Sequence, residues 1–261
     1  MKIISLNCWG GKLYEPLMAF IREQALTTDV FCFQEFVYGE RAGTDVGGIR
    51  ANLSVEVQAV LPDFELYRDP TPHGYPFCGE MPSEDVKFGE AIFVRKSLKV
   101  TEHGELLTVP VEHPVRKDPL TLPTGRFQFV ALDTDRGPLT VGNIHGIWQK
   151  EGKDDTPERM IQSQFLIDFF AGRKGGKFLC GDFNLRPDNI AVTMIEEDGG
   201  FVGLIRKFGV RTTRNAEYKN MEQFKDYIAD YMFVSPDIEV QSFEVLPGIV
   251  SDHQALRATI A

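Results

Sequence analysis

The chain of 261 residues lacks several things, and each lack excludes a class of protein. No apolar run approaches the roughly 20 residues that a membrane-crossing helix needs. Cysteine is scarce: Cys8, Cys32, Cys78 and Cys180 include no C-x-x-C pair, so neither a zinc site nor a disulfide framework is suggested. Cys8, Cys32 and Cys180 sit in apolar, strand-like runs and read as buried thiols in a reducing, cytoplasmic setting. Positive charge is in deficit, with 28 Lys and Arg against 38 Asp and Glu and a formal net charge of -10. That balance argues against a protein that coats nucleic acid non-specifically, because phosphate contacts need clustered Lys and Arg. It leaves room for an enzyme on phosphate esters, since a cation held by carboxylates can meet the phosphate. Internal repeats and low-complexity linkers are also missing. Met1 to Asn7 is too short an apolar run for a signal peptide and reads as a first strand.

What is present is an interleaving of strand and helix patterns from one end to the other, which argues for one domain. Tyr14 to Leu26 has a helical pattern with Pro16 in its first turn. Asp29 to Phe33 is a buried strand ending in Gln34-Glu35. Ile49 to Leu61 reads as a helix, Phe64 to Arg68 as a short strand, and Glu90 to Val94 as a strand opening on an acid. Asp69 to Phe88 is rich in Pro and Gly and reads as a long irregular loop, Thr101 to Thr124 reads as irregular with short edge strands, and both are expected to set specificity. Arg126 to Asp133 pairs with Leu139 to Ile144 through a turn at Asp135-Arg136-Gly137-Pro138. Pro157 to Phe170 is the clearest helix, capped by Thr156 and followed by Gly172. A helix follows near Asn189 to Glu197, then Phe201 to Phe208. Tyr227 to Val234, Glu239 to Leu246 and Ala255 to Ile260 close the chain as strands.

The chemistry centres on Phe178-Leu179-Cys180-Gly181-Asp182-Phe183-Asn184. Three apolar residues deliver an acid and an amide to a strand end, where open sheets tend to place active-site groups. Alternation puts Asp182 and Asn184 on one face. The plainer alternative is an Asx turn after a strand. Other polar residues end or open apolar runs in the same way: Asn7, Glu35, Glu90, Asn143 with His145, Asp230, and Asp252 with His253. Their types are coherent, carboxylates for a hard cation, amides for phosphate oxygens and histidines for developing charge.

These stretches together resemble the endonuclease/exonuclease/phosphatase superfamily, which includes deoxyribonucleases, abasic-site endonucleases, neutral sphingomyelinases and inositol polyphosphate phosphatases. The matching runs are Leu6-Asn7-Cys8-Trp9-Gly10, Phe33-Gln34-Glu35, Gly89-Glu90-Ala91-Ile92-Phe93, Asn143-Ile144-His145-Gly146, Cys180-Gly181-Asp182-Phe183-Asn184, Ala229 to Ser235, and Ser251-Asp252-His253. The rival calcineurin-like phosphoesterases need an early Asp-x-His and a Gly-Asn-His, and neither occurs. The resemblance implies an α/β fold, a four-layer α/β/β/α sandwich of two mixed sheets with outer helices. It implies that Glu35 is the main ligand of Mg2+ or Mn2+, with Asn7 and Asp252 beside it. Asp182 would activate water and Asn184 would position it. His253, oriented by Asp230, and His145, oriented by Glu90, would flank the phosphate.

One position departs from the pattern. Several nucleases of the family carry an acid two residues after the first Asn, and here that residue is Trp9. The Asn-Cys-Trp-Gly run is closer to the neutral sphingomyelinase branch and removes one carboxylate from a second metal position. Trp9 and Trp148 are candidates for stacking on substrate, against the plainer reading of core aromatics. Arg159 is a candidate for facing the phosphate, against that of a surface helical arginine. Thr212-Thr213-Arg214 is a candidate substrate loop of common composition. His73, His103 and His113 read as exposed, and Asp226 as a weaker rival of Asp230. The function expected is metal-dependent phosphodiester hydrolysis by a monomer with no stable membrane association, with DNA or RNA as first substrate. A phospholipid or phosphomonoester is the alternative, and a silent binding module on the same fold is a third reading.

Overall fold

Apolar residues occupy both parities of the central strands, so each sheet must be covered on both faces. The computed structural model describes residues 1–70, 81–109, 125–149, 152–218 and 227–261. Along the chain come β1 (Lys2–Asn7), α1 (Tyr14–Ala25), β2 (Val30–Tyr38), α2 (Leu53–Val60), β3 (Phe64–Pro70), β4 (Lys87–Arg95), β5 (Lys99–Leu107) and β6 (Arg126–Thr134). They are followed by β7 (Gly137–His145), α3 (Pro157–Ala171), β8 (Gly176–Asp182), α4 (Ile190–Glu197), β9 (Val202–Gly203), α5 (Leu204–Lys207), β10 (Asp230–Val234), β11 (Val240–Val245) and β12 (Leu256–Ile260). One six-stranded sheet has the order β11-β12-β1-β2-β4-β3 and the other β5-β6-β7-β8-β10-β9. Each is mixed: β1 and β2 are parallel across α1, β7 and β8 are parallel across α3, and their neighbours run antiparallel.

Alternation sorts the side chains between layers. Ile3, Val30, Cys32, Ile92 and Val94 join the cluster shared with the second sheet, while Ile4, Leu6, Phe31, Phe33 and Phe93 pack with Leu17, Ile21, Leu53 and Val57 of α1 and α2. On the far side, Leu166 and Phe170 of α3 and Ile195 of α4 pack with Phe127 and Leu179. Each such side chain, fully buried, stabilises the fold by roughly 1.5–3 kcal/mol. The sandwich of two mixed sheets expected from the resemblance is therefore the fold. Among the described residues no helix is long and apolar enough to cross a membrane.

The inner faces are graded, and the grading places the site. Read toward one end, β1 goes Ile3, Ser5, Asn7; β2 goes Val30, Cys32, Gln34; β4 goes Val94, Ile92, Glu90. The second sheet answers with Val141, Asn143, His145 in β7, Cys180, Asp182 in β8 and Val234, Met232, Asp230 in β10. All of these polar residues are buried. Below the open end, polar groups pair across the gap between sheets. Asn143 Nδ2 donates to the carbonyls of Phe33 (2.9 Å) and Ala91 (3.4 Å), and its Oδ1 accepts from Gln34 Nε2 (2.6 Å). Asn143 was expected in the chemistry; its hydrogen bonds instead tie β7 to β2 and β4 underneath it.

Several expectations change in detail. β2 does not end at Gln34-Glu35 but continues to Tyr38 through a register shift between Phe33 and Phe36. Glu90 is not strand-initiating; it lies inside β4 and is buried. The helix expected from Ile49 starts at Leu53, while the edge strand expected in the segment from Thr101 is β5, where His103 is exposed as expected. Cys78, His73, His113 and Asp226 lie outside the described residues, as do the central parts of both long loops. Removing the inter-sheet clasp with Asn143→Ala leaves buried polar groups without partners, at a cost of about 1–3 kcal/mol. We expect a thermal midpoint lower by several degrees. An unchanged midpoint with abolished activity would return Asn143 to the chemistry.

Candidate active site

Asp182 ends β8 almost fully buried, 1% exposed. Its position depends on Gly181, whose φ is +142° and where a Cβ would stand 1.9 Å from the carbonyl oxygen of Ile144 on β7. No side chain fits there, so the glycine of the motif is a close-approach residue. Gly146 is another, since a Cβ would lie 2.3 Å from the Phe183 carbonyl oxygen. The Asp182 carboxylate accepts from Asn7 Nδ2 (3.1 Å) across the sheets and from the Asn184 backbone N–H (2.9 Å). His253 Nε2 stands 3.5 Å away and His145 Nε2 3.8 Å. Burial opposes ionisation of Asp182, but His253, Lys153, Arg214 and His145 outweigh it and hold the acid well below the usual carboxylate range.

The bond from Asn184 N–H to Asp182 is an Asx turn, so the plainer reading of the motif is true as local geometry. Alternation does not carry Asn184 to the site, because the strand stops at Asp182 and Asn184 has φ +55°. Its Oδ1 accepts from Lys153 Nζ (2.6 Å) and its Nδ2 donates to the Gly146 carbonyl (3.1 Å). Glu35 and Trp9 are the other non-glycine residues with positive φ among those described, +47° and +49°. All three therefore fall in the motif runs, where strained backbone tends to gather. At Glu35 the cause is visible. Gln34 and Glu35 stand opposite the one residue Glu90, a bulge that re-aims the second side chain. The Glu35 carboxylate reaches His145 Nε2 at 3.6 Å and accepts no hydrogen bond from the described residues. A hard oxygen donor with lone pairs to spare, aimed into a cleft, fits a divalent cation.

Asp230 is directly opposite Asp182 in the β8–β10 register. Its two oxygens lie 2.8 and 2.9 Å from His253 Nδ1, and Thr213 Oγ1 donates to one of them (2.6 Å). Nδ1 therefore carries a proton. Arg214 Nη1 contacts Nε2 of the same ring and donates to Asp252 Oδ2 (3.3 Å). A guanidinium only donates, so with Arg214 in place the ring is neutral. Burial and Arg214 disfavour the imidazolium, while Asp230, Asp252 and Asp182 outweigh them and raise the pKa. Asp182, Asp230 and His253 offer ligand atoms within 4.8 Å of one another, a spacing that suits a cation, although Asp230 and Nδ1 engage each other.

Other candidates sit elsewhere. Among the described residues, the carboxylates within 4 Å of His145 are Glu35 and Asp182, so Glu90 does not orient that ring. Asn7 Oδ1 accepts from the Trp9 N–H (2.9 Å), which leaves Asn7 between Asp182 and its own turn. Asp252 is engaged by Arg214. Trp9 packs against the outer cluster with Lys12 Nζ 4.3 Å from its ring centre. Trp148 is 48% exposed beyond His145. Arg159 is neither on the surface nor facing a phosphate. It shares the buried stripe of α3 with Gln162, Ser163, Leu166 and Phe170, and its guanidinium donates to the carbonyls of Ile147, Gly152 and Asp154. Lys153 is absent from the candidates read in the sequence, and Thr213 and Arg214 figure there only within the candidate substrate loop Thr212-Thr213-Arg214. Nothing in the charged run around Lys153 marks it, whereas Thr213-Arg214 gains meaning only once it lies beside His253.

The profile of the Endonuclease/Exonuclease/phosphatase family matches residues 4–253. No curated protein matches the sequence. Among solved structures, an endonuclease/exonuclease/phosphatase from Beutenbergia cavernae is similar with a TM-score of 0.73 at 16% identity, over 99% of this chain and 70% of that one. The mannosyl-6-phosphatase Bt3783 of Bacteroides thetaiotaomicron gives 0.67 at 16%, over 100% and 99%. The human Nocturnin catalytic domain with a bound sulfate anion gives 0.65 at 18%, over 100% and 93%. At these identities the likeness is one of fold.

The depressed pKa of Asp182 has a consequence for stability. A carboxyl more acidic in the folded than in the unfolded chain stabilises fully above its unfolded value, about 4, and that contribution is lost as pH falls toward the folded value. Asp182→Asn should fold with a lower thermal midpoint than the parent at pH 7, because the Lys153 and Arg214 cations lose a shared anion. The gap should narrow below about pH 4. A constant gap from pH 7 to pH 3 would contradict this account.

Proposed function

Since the chain belongs to the endonuclease/exonuclease/phosphatase family, matched over residues 4–253, we propose that it is a divalent-metal-dependent hydrolase of phosphoric esters acting through one catalytic domain. The observation that carries the reading is a buried carboxylate, Asp182, kept ionised by a ring of cations and amides and facing Glu35 across His145. Glu35 would hold Mg2+ or Mn2+ with Asn7 at its side, and an ion bound there would polarise a phosphate oxygen as a Lewis acid.

The side chains supply the rest. Asp182 takes a proton from water as the water oxygen attacks phosphorus. Asn7 and the Asn184 N–H hold the carboxylate in one orientation, which lowers the entropic part of the barrier. The ester P–O bond breaks, the leaving oxygen keeps the electron pair, and solvent protonates it. His253, fixed by Asp230 and Thr213, faces the charge that grows on the phosphoryl oxygens. The same steps would serve a DNA or RNA diester, a phospholipid headgroup or a phosphomonoester. The intact acid, amide and imidazole set weighs against a silent binding module. Cytoplasmic location and a monomeric state belong to the same proposal.

Glu35→Gln and Asp182→Asn should each lower metal-dependent hydrolysis of aryl phosphate esters by roughly 10²–10⁴ fold. Glu35→Gln alone should also weaken Mn2+ binding, read by electron paramagnetic resonance. Normal turnover in both variants would remove these roles.

A further inference from the structure

Two cations that help keep Asp182 ionised have no partner on the substrate in the steps above. Arg214 is 4% exposed and its neighbours hold it in place. Asn215 Nδ2 donates to the carbonyls of Ser251 and His253, Gln254 N–H donates to the Thr213 carbonyl, and the Tyr218 ring lies 4.5 Å from the guanidinium. Lys153 is half-buried and donates to Asn184 Oδ1 (2.6 Å). Its loop is gripped by Arg159 through three carbonyls, by Arg186 through Asp154, and by Asp155, which accepts from the N–H groups of Ile190 and Ala191 at the start of α4. Both cations flank one ring, with Lys153 Nζ 5.2 Å and the Arg214 guanidinium 5.9 Å from the centre of Tyr227. Burial and the repulsion of Arg214 pull the Lys153 ammonium down to about 8, although Asp182 and Asp230 favour its charge. Two like charges beside one buried ring repel each other, and an anion between them relieves that repulsion.

We infer that Lys153 and Arg214 form a receptor for two non-bridging oxygens of a terminal phosphate, so that the ester cleaved here is a phosphomonoester. The inference rests on the hydrolase reading for its chemistry. A monoester phosphate has three non-bridging oxygens and nearly two negative charges at neutral pH. One oxygen faces the Glu35 side, one Lys153 and one Arg214, which leaves His253 Nε2 when the anion takes its guanidinium. A diester has two such oxygens and one charge, and leaves one cation without a partner. Water adds to phosphorus, the ester P–O bond breaks, and the products are an alcohol and inorganic phosphate.

The test compares p-nitrophenyl phosphate with bis(p-nitrophenyl) phosphate, and inorganic phosphate binding by calorimetry in the absence of metal. The parent should favour the monoester in kcat/KM by at least about tenfold, and Lys153→Ala should cost the monoester about 10²-fold, at least tenfold more than the diester. Phosphate binding should weaken by more than about tenfold in Lys153→Ala and Arg214→Ala. If Arg214→Ala fails to fold, Arg214→Lys, which keeps the charge but loses the fork, should show the weakened binding. Preference for the diester, or variants that bind phosphate as the parent does, would overturn the receptor. Phosphate binding that responds to Lys153 in a protein that hydrolyses neither ester would spare the receptor and end the hydrolase reading.

Discussion

The structure depends on one buried negative charge. Asp182 sits where water is nearly excluded, and an isolated carboxylate there would be strongly disfavoured. Ionisation is sustained because His145, His253, Lys153 and Arg214 reach it from four separate stretches of chain, and because Asn7 and the Asn184 N–H donate to its oxygens. Each donor must arrive to within a few tenths of an ångström. The two sheets must therefore be locked in register, and the polar pairs below the site, Asn143 with Gln34 and with the Phe33 and Ala91 carbonyls, accomplish this.

The grading of the inner faces turns a packing core into a site without any change of fold. In β1, β2, β4, β7, β8 and β10 the residues two apart pass from apolar to polar toward the same end. Hydrophobic burial holds that interface closed at one end, and charge takes over at the other. Local distortions finish the work. The bulge at Glu35, the missing side chain at Gly181 and the turn at Asn184 aim groups that regular strands would direct elsewhere.

Several polar residues that look chemical in the sequence turn out to hold the frame. Arg159 fastens the loop that presents Lys153, and Thr213 fixes the Asp230 carboxylate that orients His253. Conversely, Arg214 looks like an ordinary loop residue and lies against His253. The two kinds of misreading share an origin: a hydrogen-bond donor is either structural or functional according to what faces it, and in these cases the facing group lies 5 to 39 residues away along the chain.

From the sequence alone the sandwich followed only through the resemblance carried by the motif runs between Leu6 and His253, while apolar parity asked no more than that both faces of each sheet be covered. The sequence by itself determined most of the polar set, because Asn7, Glu35, Asp182, Asp230 and His253 each interrupt an apolar run at a place where burial demands a reason. Tertiary structure alone decided that β2 runs through Glu35 as a bulge, that Glu90 leaves His145 to other carboxylates, and that Lys153 and Arg214 stand over one tyrosine. Those outcomes depend on contacts between distant segments whose energies are set by distance and desolvation, and neither quantity is written in local pattern.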